Sequence, residues 1–169
     1  MDYLHAQRTQ QILHRDLKPD NILGVNEWGK EERSHKISWK LADFGIAQLL
    51  NRDAQEAYYG AEYEGVPTYM APEVYEDYET YFEKSDIWSL GCVMAFYLNK
   101  GRHVFYTPED VQSYGGHEQI IDDEALEEYS ADLLELVFKM VNPDAYERPT
   151  AEEVQYETGL YDRQEKGQH

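Results

Sequence analysis

Residues 14–21 read His-Arg-Asp-Leu-Lys-Pro-Asp-Asn, and Asp43-Phe44-Gly45 follows further along the chain. Asp16 and Asn21 lie five residues apart on a loop that Pro19 stiffens, so both side chains can face one cavity. Carboxylate and amide oxygens are the ligands that Mg²⁺ prefers in proteins. The stretch therefore indicates one site that gathers two carboxylates, an amide and an ammonium.

Further motifs follow this loop in a fixed order, and the order carries more information than any single motif. They are Gly65–Glu73 (GVPTYMAPE), Asp86–Gly91 (DIWSLG) and Arg148-Pro149. A lone Asp-Phe-Gly is more often a turn, but an unbroken eight-residue motif followed by a strand and Asp-Phe-Gly leaves little room for coincidence. Over about residues 1–160 the chain resembles the eukaryotic protein kinases, and Lys18 resembles the Ser/Thr type more than the tyrosine type.

The resemblance implies a role for each residue of the site, with ATP and Mg²⁺ as cofactors and a protein as substrate. Asp16 matches the carboxylate that orients the acceptor hydroxyl and accepts its proton. Lys18 matches the ammonium that approaches the transferred phosphate. Asn21 and Asp43 match the two metal ligands, and Leu23 matches the residue beneath the adenine ring. Lys18, Asn21, Leu23 and Asp43 are therefore the expected ATP-binding residues.

The resemblance also implies a set of supporting residues around the site. These are His14, Arg15, Phe44, Glu73, Asp86 and Arg148. By this likeness His14 and Phe44 stack in a hydrophobic spine. Asp86 braces the backbone of the catalytic loop, and Arg148 pairs with Glu73. Residues 46–65 contain no Ser or Thr, so activation by phosphorylation there would need one of three tyrosines: Tyr58, Tyr59 or Tyr63. The alternative hypothesis is that Glu62 or Glu64 lies opposite Arg15 and replaces the phosphate.

Apolar periodicity predicts a small hairpin in the first part of the chain. Ile22–Val25 reads as one strand, and Ile37, Trp39 and Leu41 alternate with polar residues as a second strand with one buried face. Residues 46–65 show no clear period and are predicted to be a loop.

Three helices are predicted further on. Ser85–Leu98 is apolar on nearly every side, which is typical of a buried helix. Ser130 can cap a second helix, and Thr150 with Glu153 forms a capping box that opens a third. The expected fold class is mainly α: a protein-kinase-like C-terminal lobe with a small hairpin and a buried central helix.

The expected domain is residues 1–160, followed by a polar tail at residues 161–169. The thirteen residues before His14 hold no glycine-rich loop and no strand lysine for the phosphates, so we expect the N-terminal lobe of the family to be absent. Without that lobe the nucleotide would be covered by protein on one side only, and the activity of the isolated chain is in doubt. We also expect a partner to cover the exposed lobe interface. The alternative is a non-catalytic kinase-like binding module, such as a pseudokinase or decoy lobe.

Net charge limits the kinds of molecule that this chain is expected to bind, and the cysteine and apolar content bear on its cellular location. The formal net charge is −19, with +1 over residues 1–42 and −20 over residues 43–169. Such a surface repels nucleic acid and anionic membranes and favours basic protein substrates, although a solvated acidic face explains it as well. Cys92 is the only cysteine and sits in an apolar run, so no intrachain disulfide can form. With no apolar signal core and no run of ~18 apolar residues, an intracellular location is expected, in cytoplasm or nucleus.

Overall fold

The computed structural model describes residues 2–5, 10–28, 35–51, 67–76, 81–116 and 120–159. The helices are α1 (Asp2–His5), α2 (Pro72–Glu76), α3 (Glu83–Leu98), α4 (Pro108–Ser113), α5 (Asp123–Glu128), α6 (Ala131–Met140) and α7 (Ala151–Glu157). The strands are β1 (Gln10–Leu13), β2 (Ile22–Trp28), β3 (His35–Leu41) and β4 (Gln48–Asn51). Single 3₁₀ turns lie at Pro19–Asn21, Pro67–Tyr69 and Ala145–Glu147. The predicted mainly helical fold is confirmed.

Helix α3 runs through the core, as its apolar sequence predicts. Ten of its sixteen residues are buried, and Trp88 is fully covered. Cys92 is 1% exposed, and burial raises the pKa of its thiol. Gly91 lets α6 approach closely, because a Cβ at this position would lie 2.8 Å from Cγ1 of Val141. The central helix therefore packs tightly against the end of α6.

The two predicted helix starts are confirmed by their hydrogen bonds. The Ser130 hydroxyl accepts the Leu133 N–H at 3.4 Å at the start of α6. At the start of α7 the Thr150 hydroxyl accepts the Glu153 N–H at 3.2 Å, and the Glu153 carboxylate accepts the Thr150 N–H at 2.7 Å. These local contacts satisfy N–H groups that the helix itself leaves unpaired.

The strands form two antiparallel pairs. Strands β2 and β3 pair from Ile22 opposite Leu41 to Trp28 opposite His35, so the hairpin is longer than the predicted strand Ile22–Val25. Strands β1 and β4 pair with each other, although β4 lies in the segment predicted to be a loop. The strand has no apolar alternation of its own, and its pairing partner is more than thirty residues away in sequence. Residues 52–65 of that predicted loop, including Glu62 and Glu64, and the polar tail at residues 161–169 lie outside the described residues.

The predicted buried face of β3 is wrong for two of its three residues. Ile37 is 53% exposed and Trp39 is 63% exposed, while Leu41 is partly buried. Trp39 meets the Tyr97 ring of α3 with centroids 6.4 Å apart and the ring planes tilted by 52°, and this single contact leaves most of the indole exposed. Alternation shows which residues share a face, but it does not show whether another element packs on that face.

Within the described ranges, no helix combines the length and the apolar character that crossing a bilayer requires.

Candidate active site

The β2–β3 hairpin brings two loops of the candidate site to the same end of one ladder. Asn21 ends a 3₁₀ turn directly before β2, and Ala42 follows β3. The Ala42 N–H donates to the Asn21 carbonyl oxygen at 2.9 Å, one step beyond the Ile22–Leu41 pair. Asn21 and Asp43 are therefore held at neighbouring positions by backbone pairing.

Asp16, Lys18 and Asn21 form a compact hydrogen-bonded group. Nζ of Lys18 lies 2.7 Å from Oδ2 of Asp16. Nδ2 of Asn21 donates to the same Oδ2 at 3.0 Å and to the Asp16 carbonyl oxygen at 2.7 Å. The Lys18 and Asp16 side chains are 20% and 12% exposed, so a bound molecule can still reach them.

These bonds determine which atoms of the group remain open to a ligand. Because Nδ2 of Asn21 makes two bonds to Asp16, its Oδ1 is left as an acceptor. Within the described part of the chain, both donors to the Asp16 carboxylate reach Oδ2, which leaves Oδ1 for a further donor.

Asp43 is placed beside this group but is not bonded to it. Its backbone has φ +60°, its side chain is exposed, and Oδ1 accepts the Gly45 N–H at 3.2 Å. Leu23 is 49% exposed on β2. The structure thus joins Asp16, Lys18 and Asn21 through their side chains and connects Asp43 to them through the hairpin backbone.

A buried carboxylate on α3 fixes the backbone of the loop that carries Asp16. Asp86 is fully buried and accepts the N–H groups of His14 at 2.8 Å and Arg15 at 2.9 Å. It also accepts the Tyr81 hydroxyl at 2.5 Å and lies 3.1 Å from Nε2 of His5. Burial alone would raise the pKa of this carboxyl, but the hydrogen bonds and the His5 contact outweigh burial and lower it.

His14 and Arg15 connect the loop to the segment that follows Asp43. The buried His14 ring lies 3.0 Å from the Ala42 carbonyl oxygen through Nε2, and its centroid is 4.7 Å from that of Phe44. Arg15 adopts φ +73°, and its guanidinium donates to the Gln48 side chain on β4 at 3.0 Å. Two of the three non-glycine residues with positive φ in the described ranges, Arg15 and Asp43, are thus at this site, where backbone strain is often kept for function.

Glu73 and Arg148 form a bidentate ion pair beneath the segment that leads to α2. NH1 and NH2 of Arg148 donate to the two carboxylate oxygens of Glu73, each at 2.8 Å. The guanidinium lies 5.0 Å from the centre of the Trp88 ring, and Ser85 donates to Glu73 at 2.7 Å. The Arg148 side chain has no exposed surface, so the pair is part of the core.

Sequence reasoning missed several residues that complete the site. Tyr81 and His5 contact Asp86, and Gln48 contacts Arg15. No motif or period marks Tyr81 or Gln48, because each acts through a partner that only the fold brings near.

The sequence profile of the protein kinase domain matches residues 1–158 of this chain. The chain belongs to the protein kinase family.

Individual kinases from different organisms match most of the chain. It is 35% identical over 154 residues to the serine/threonine-protein kinase Nek6 of Oryza sativa subsp. japonica, which covers 91% of this chain and 25% of that protein. It is 34% identical over 143 residues to human serine/threonine-protein kinase Nek2, covering 85% of this chain and 29% of that protein. Human serine/threonine-protein kinase ULK1 is 32% identical over 171 residues, covering 87% of this chain and 16% of that protein. These relatives are all serine/threonine kinases, so the chain belongs to the Ser/Thr type of the family. It spans less than a third of the length of each of them.

The donor set of this candidate site suits Mg²⁺ held jointly with substrate phosphates better than a metal ion held by protein side chains alone. The described residues contain no group of three or more His, Cys, Asp or Glu side chains suited to a metal ion. Mg²⁺ is usually held by one or two side-chain oxygens together with substrate phosphates and water. Oδ1 of Asn21, on a side chain whose residue is 6% exposed, and the exposed carboxylate of Asp43 match that requirement by their chemistry.

Proposed function

We propose that this chain serves the transfer of the γ-phosphate of MgATP to Ser or Thr hydroxyls of proteins. The observation that carries the proposal is the Asp16–Lys18–Asn21 group at the end of the hairpin, next to Asp43. Phosphoryl transfer depends mainly on positioning and on neutralising charge, and this group offers oriented oxygens beside an ammonium.

Asp16 and Lys18 are the proposed catalytic residues. Oδ1 of Asp16 would accept the proton of the acceptor hydroxyl, while Oδ2 is kept in place by Lys18 and Asn21. Lys18 would exchange its contact with Asp16 for the transferred phosphate, because its side chain is long enough to turn and is 20% exposed. The bond to Asn21 would then keep the carboxylate oriented.

Asn21 and Asp43 are the proposed ligands of Mg²⁺, which when bound supplies positive charge to the phosphates. Leu23 would lie beneath the adenine ring. Its exposure in the described part of the chain leaves an apolar surface on β2 for a planar base.

We also propose that this chain is the C-terminal lobe of an incomplete catalytic domain, and that a second folded unit closes over the hairpin. Leu23, Val25 and Phe44 are 49%, 38% and 45% exposed, and a site open to water loses most of its electrostatic advantage. The same exposure favours the alternative, a kinase-like binding module without catalysis. The two proposals differ in whether the chain binds MgATP and transfers its phosphate.

Nucleotide binding can be tested by the melting temperature of the intact chain with MgATP, with ATP and a chelator, and with Mg²⁺ alone. A ligand that binds only the folded state must raise the melting temperature. We expect a rise that requires both components and is lost in Asp43→Asn but kept in Asp132→Asn, a matched change at an exposed site. No rise with MgATP in the intact chain would favour the binding module.

Catalysis can be tested with peptides that present Ser, Thr or Tyr as the acceptor, with and without flanking Arg. We expect phosphate incorporation into the Ser and Thr peptides, higher for the basic ones, and loss of it in Asp16→Asn. The assay is repeated with the N-terminal lobe of a complete family member added as the second folded unit. If nucleotide binds under these conditions but no peptide is phosphorylated, the catalytic proposal is wrong.

A further inference from the structure

A cleft of about 350 Å³ lies between the turn that follows α4 and the end of α6. Tyr114, Phe138 and Val141 give it apolar walls, while Asn142 and Asp144 lie on it as polar residues. Val141 is fully buried and Phe138 is 39% exposed, so the cleft leads from solvent towards the core. None of these residues belongs to the candidate active site.

The wall of the cleft is held by hydrogen bonds that exist before any ligand arrives. Arg148 donates to the carbonyl oxygens of Asn142 at 2.7 Å and Pro143 at 3.2 Å. Oδ1 of Asn142 accepts the Asp144 N–H at 2.9 Å. Gly116, with φ +82°, lies so close that a Cβ there would be 3.1 Å from Cδ of Pro143. A preformed cleft loses little conformational entropy when it binds a ligand.

The part of the chain that supplies every residue of the cleft is strongly acidic in sequence, and Asp144 places one of its carboxylates on the cleft itself. Residues 103–159 contain two Lys or Arg against fifteen Asp or Glu. Both cations are already in ion pairs, Lys139 with Glu135 and Glu157, and Arg148 with Glu73. The field at this surface therefore attracts positively charged groups.

We propose that the cleft is a docking site for a protein segment in which one apolar side chain of about leucine size is flanked by Lys or Arg. The volume is at the lower end of the ~300–1,000 Å³ of ligand pockets, which suits one side chain better than a cofactor. The Asn142 amide, whose Oδ1 is bonded to Asp144, can donate through Nδ2 to the backbone of the bound segment. The proposal is independent of nucleotide binding, since it uses other residues.

The test is an NMR titration of the ¹⁵N-labelled intact chain with three blocked pentapeptides: Arg-Arg-Leu-Arg-Arg, Arg-Arg-Ala-Arg-Arg and Glu-Glu-Leu-Glu-Glu. We expect the first peptide to shift the amide signals of Tyr114, Gly116, Phe138 and Asn142. The alanine peptide should bind about tenfold more weakly, because it buries less apolar surface. The acidic peptide should not bind.

Two variants and one control separate the cleft from the general acidity of the surface. Phe138→Ala should weaken the leucine peptide but not the alanine peptide. Asp144→Asn should weaken both basic peptides, and it leaves an acceptor for the Tyr146 N–H that Asp144 now binds. The control Glu127→Gln removes one exposed carboxylate from α5, and it should change the affinity for the basic peptides less than Asp144→Asn does. Equal affinity for leucine and alanine peptides, or unchanged binding in both Phe138→Ala and Asp144→Asn, would overturn the proposal.

Discussion

The buried carboxylate of Asp86 holds Arg15 in a left-handed backbone conformation, since it accepts the Arg15 N–H at 2.9 Å where φ is +73°. The two residues are 71 positions apart in sequence. Non-glycine residues at positive φ are uncommon and need support from the surrounding structure. The central helix therefore sets the shape of the loop that carries Asp16.

Removal of the charge of Asp86 should loosen that loop. In Asp86→Asn an amide replaces a carboxylate that accepts two backbone N–H groups and the Tyr81 hydroxyl. We expect a loss of about 3–5 kcal/mol in the free energy of unfolding, as for a broken buried charge pair. Hydrogen exchange at the amides of His14 and Arg15 should also become faster. Asp132→Asn, on the exposed start of α6, is the control, and similar exchange rates in both variants would contradict the prediction.

The Asp86 carboxylate should also make the free energy of unfolding depend on pH in the acidic range. The pKa of the Asp86 carboxyl is lowered below its ordinary value of 3.8, because hydrogen bonds and His5 outweigh burial. A carboxyl with a lowered pKa in the folded state contributes stability that is complete above the ordinary value and is lost as pH falls through the folded value. The free energy of unfolding, measured by urea between about pH 5 and about pH 3, should therefore fall more steeply in the native chain than in Asp86→Asn. Parallel curves would show that Asp86 does not contribute to this dependence.

Loss of the Arg148 guanidinium should disturb the core far more than loss of a surface arginine. Arg148→Ala leaves the partly buried Glu73 without its bidentate partner and removes three bonds to backbone carbonyls. We expect about 3–5 kcal/mol of destabilisation. The segment around Glu73 should also become sensitive to protease.

The matched control for this prediction is Arg102→Ala. Arg102 also pairs with a carboxylate, that of Asp122, but its side chain is 60% exposed. Exposed ion pairs contribute little to stability. If both arginine variants melt at the same temperature, the assignment of the Arg148–Glu73 pair to the core is wrong.

Gly91→Ala should destabilise the protein although alanine is the better helix former. The new Cβ would lie 2.8 Å from Cγ1 of Val141 and 2.9 Å from Cβ of Met140. Overpacking of this kind costs about 1–3 kcal/mol, against a gain of up to about 1 kcal/mol in helix propensity. A double-mutant cycle with Val141→Ala checks the part of this cost that comes from Cγ1 of Val141, because the truncation removes that atom and leaves Cβ of Met140 in place. Strictly additive effects would exclude a contribution from the contact with Val141.

Features of this chain that depend on local spacing could be predicted from the sequence. The largely apolar helix α3, the Ser130 cap and the Thr150–Glu153 capping box are predicted and present, because each depends on residues a few positions apart. The order of the motifs, from His14–Asn21 to Arg148-Pro149, also indicated the kinase family before any geometry was known. The pairing of Arg148 with Glu73 was expected from that family resemblance alone, and its bidentate geometry comes from the structure.

Other features were decided by partners distant in sequence, and only the tertiary structure supplies these. The pairing of β4 with β1, the contact of Gln48 with Arg15 and the convergence of Tyr81 and His5 on Asp86 have no local signal. The exposure of Ile37 and Trp39 shows the same limit, since a pattern defines a face but not what covers it. The sequence by itself determined the chemistry available to this protein, because that depends on residue type and spacing. The tertiary structure alone decided which of those groups meet, because burial and hydrogen bonding depend on the whole chain.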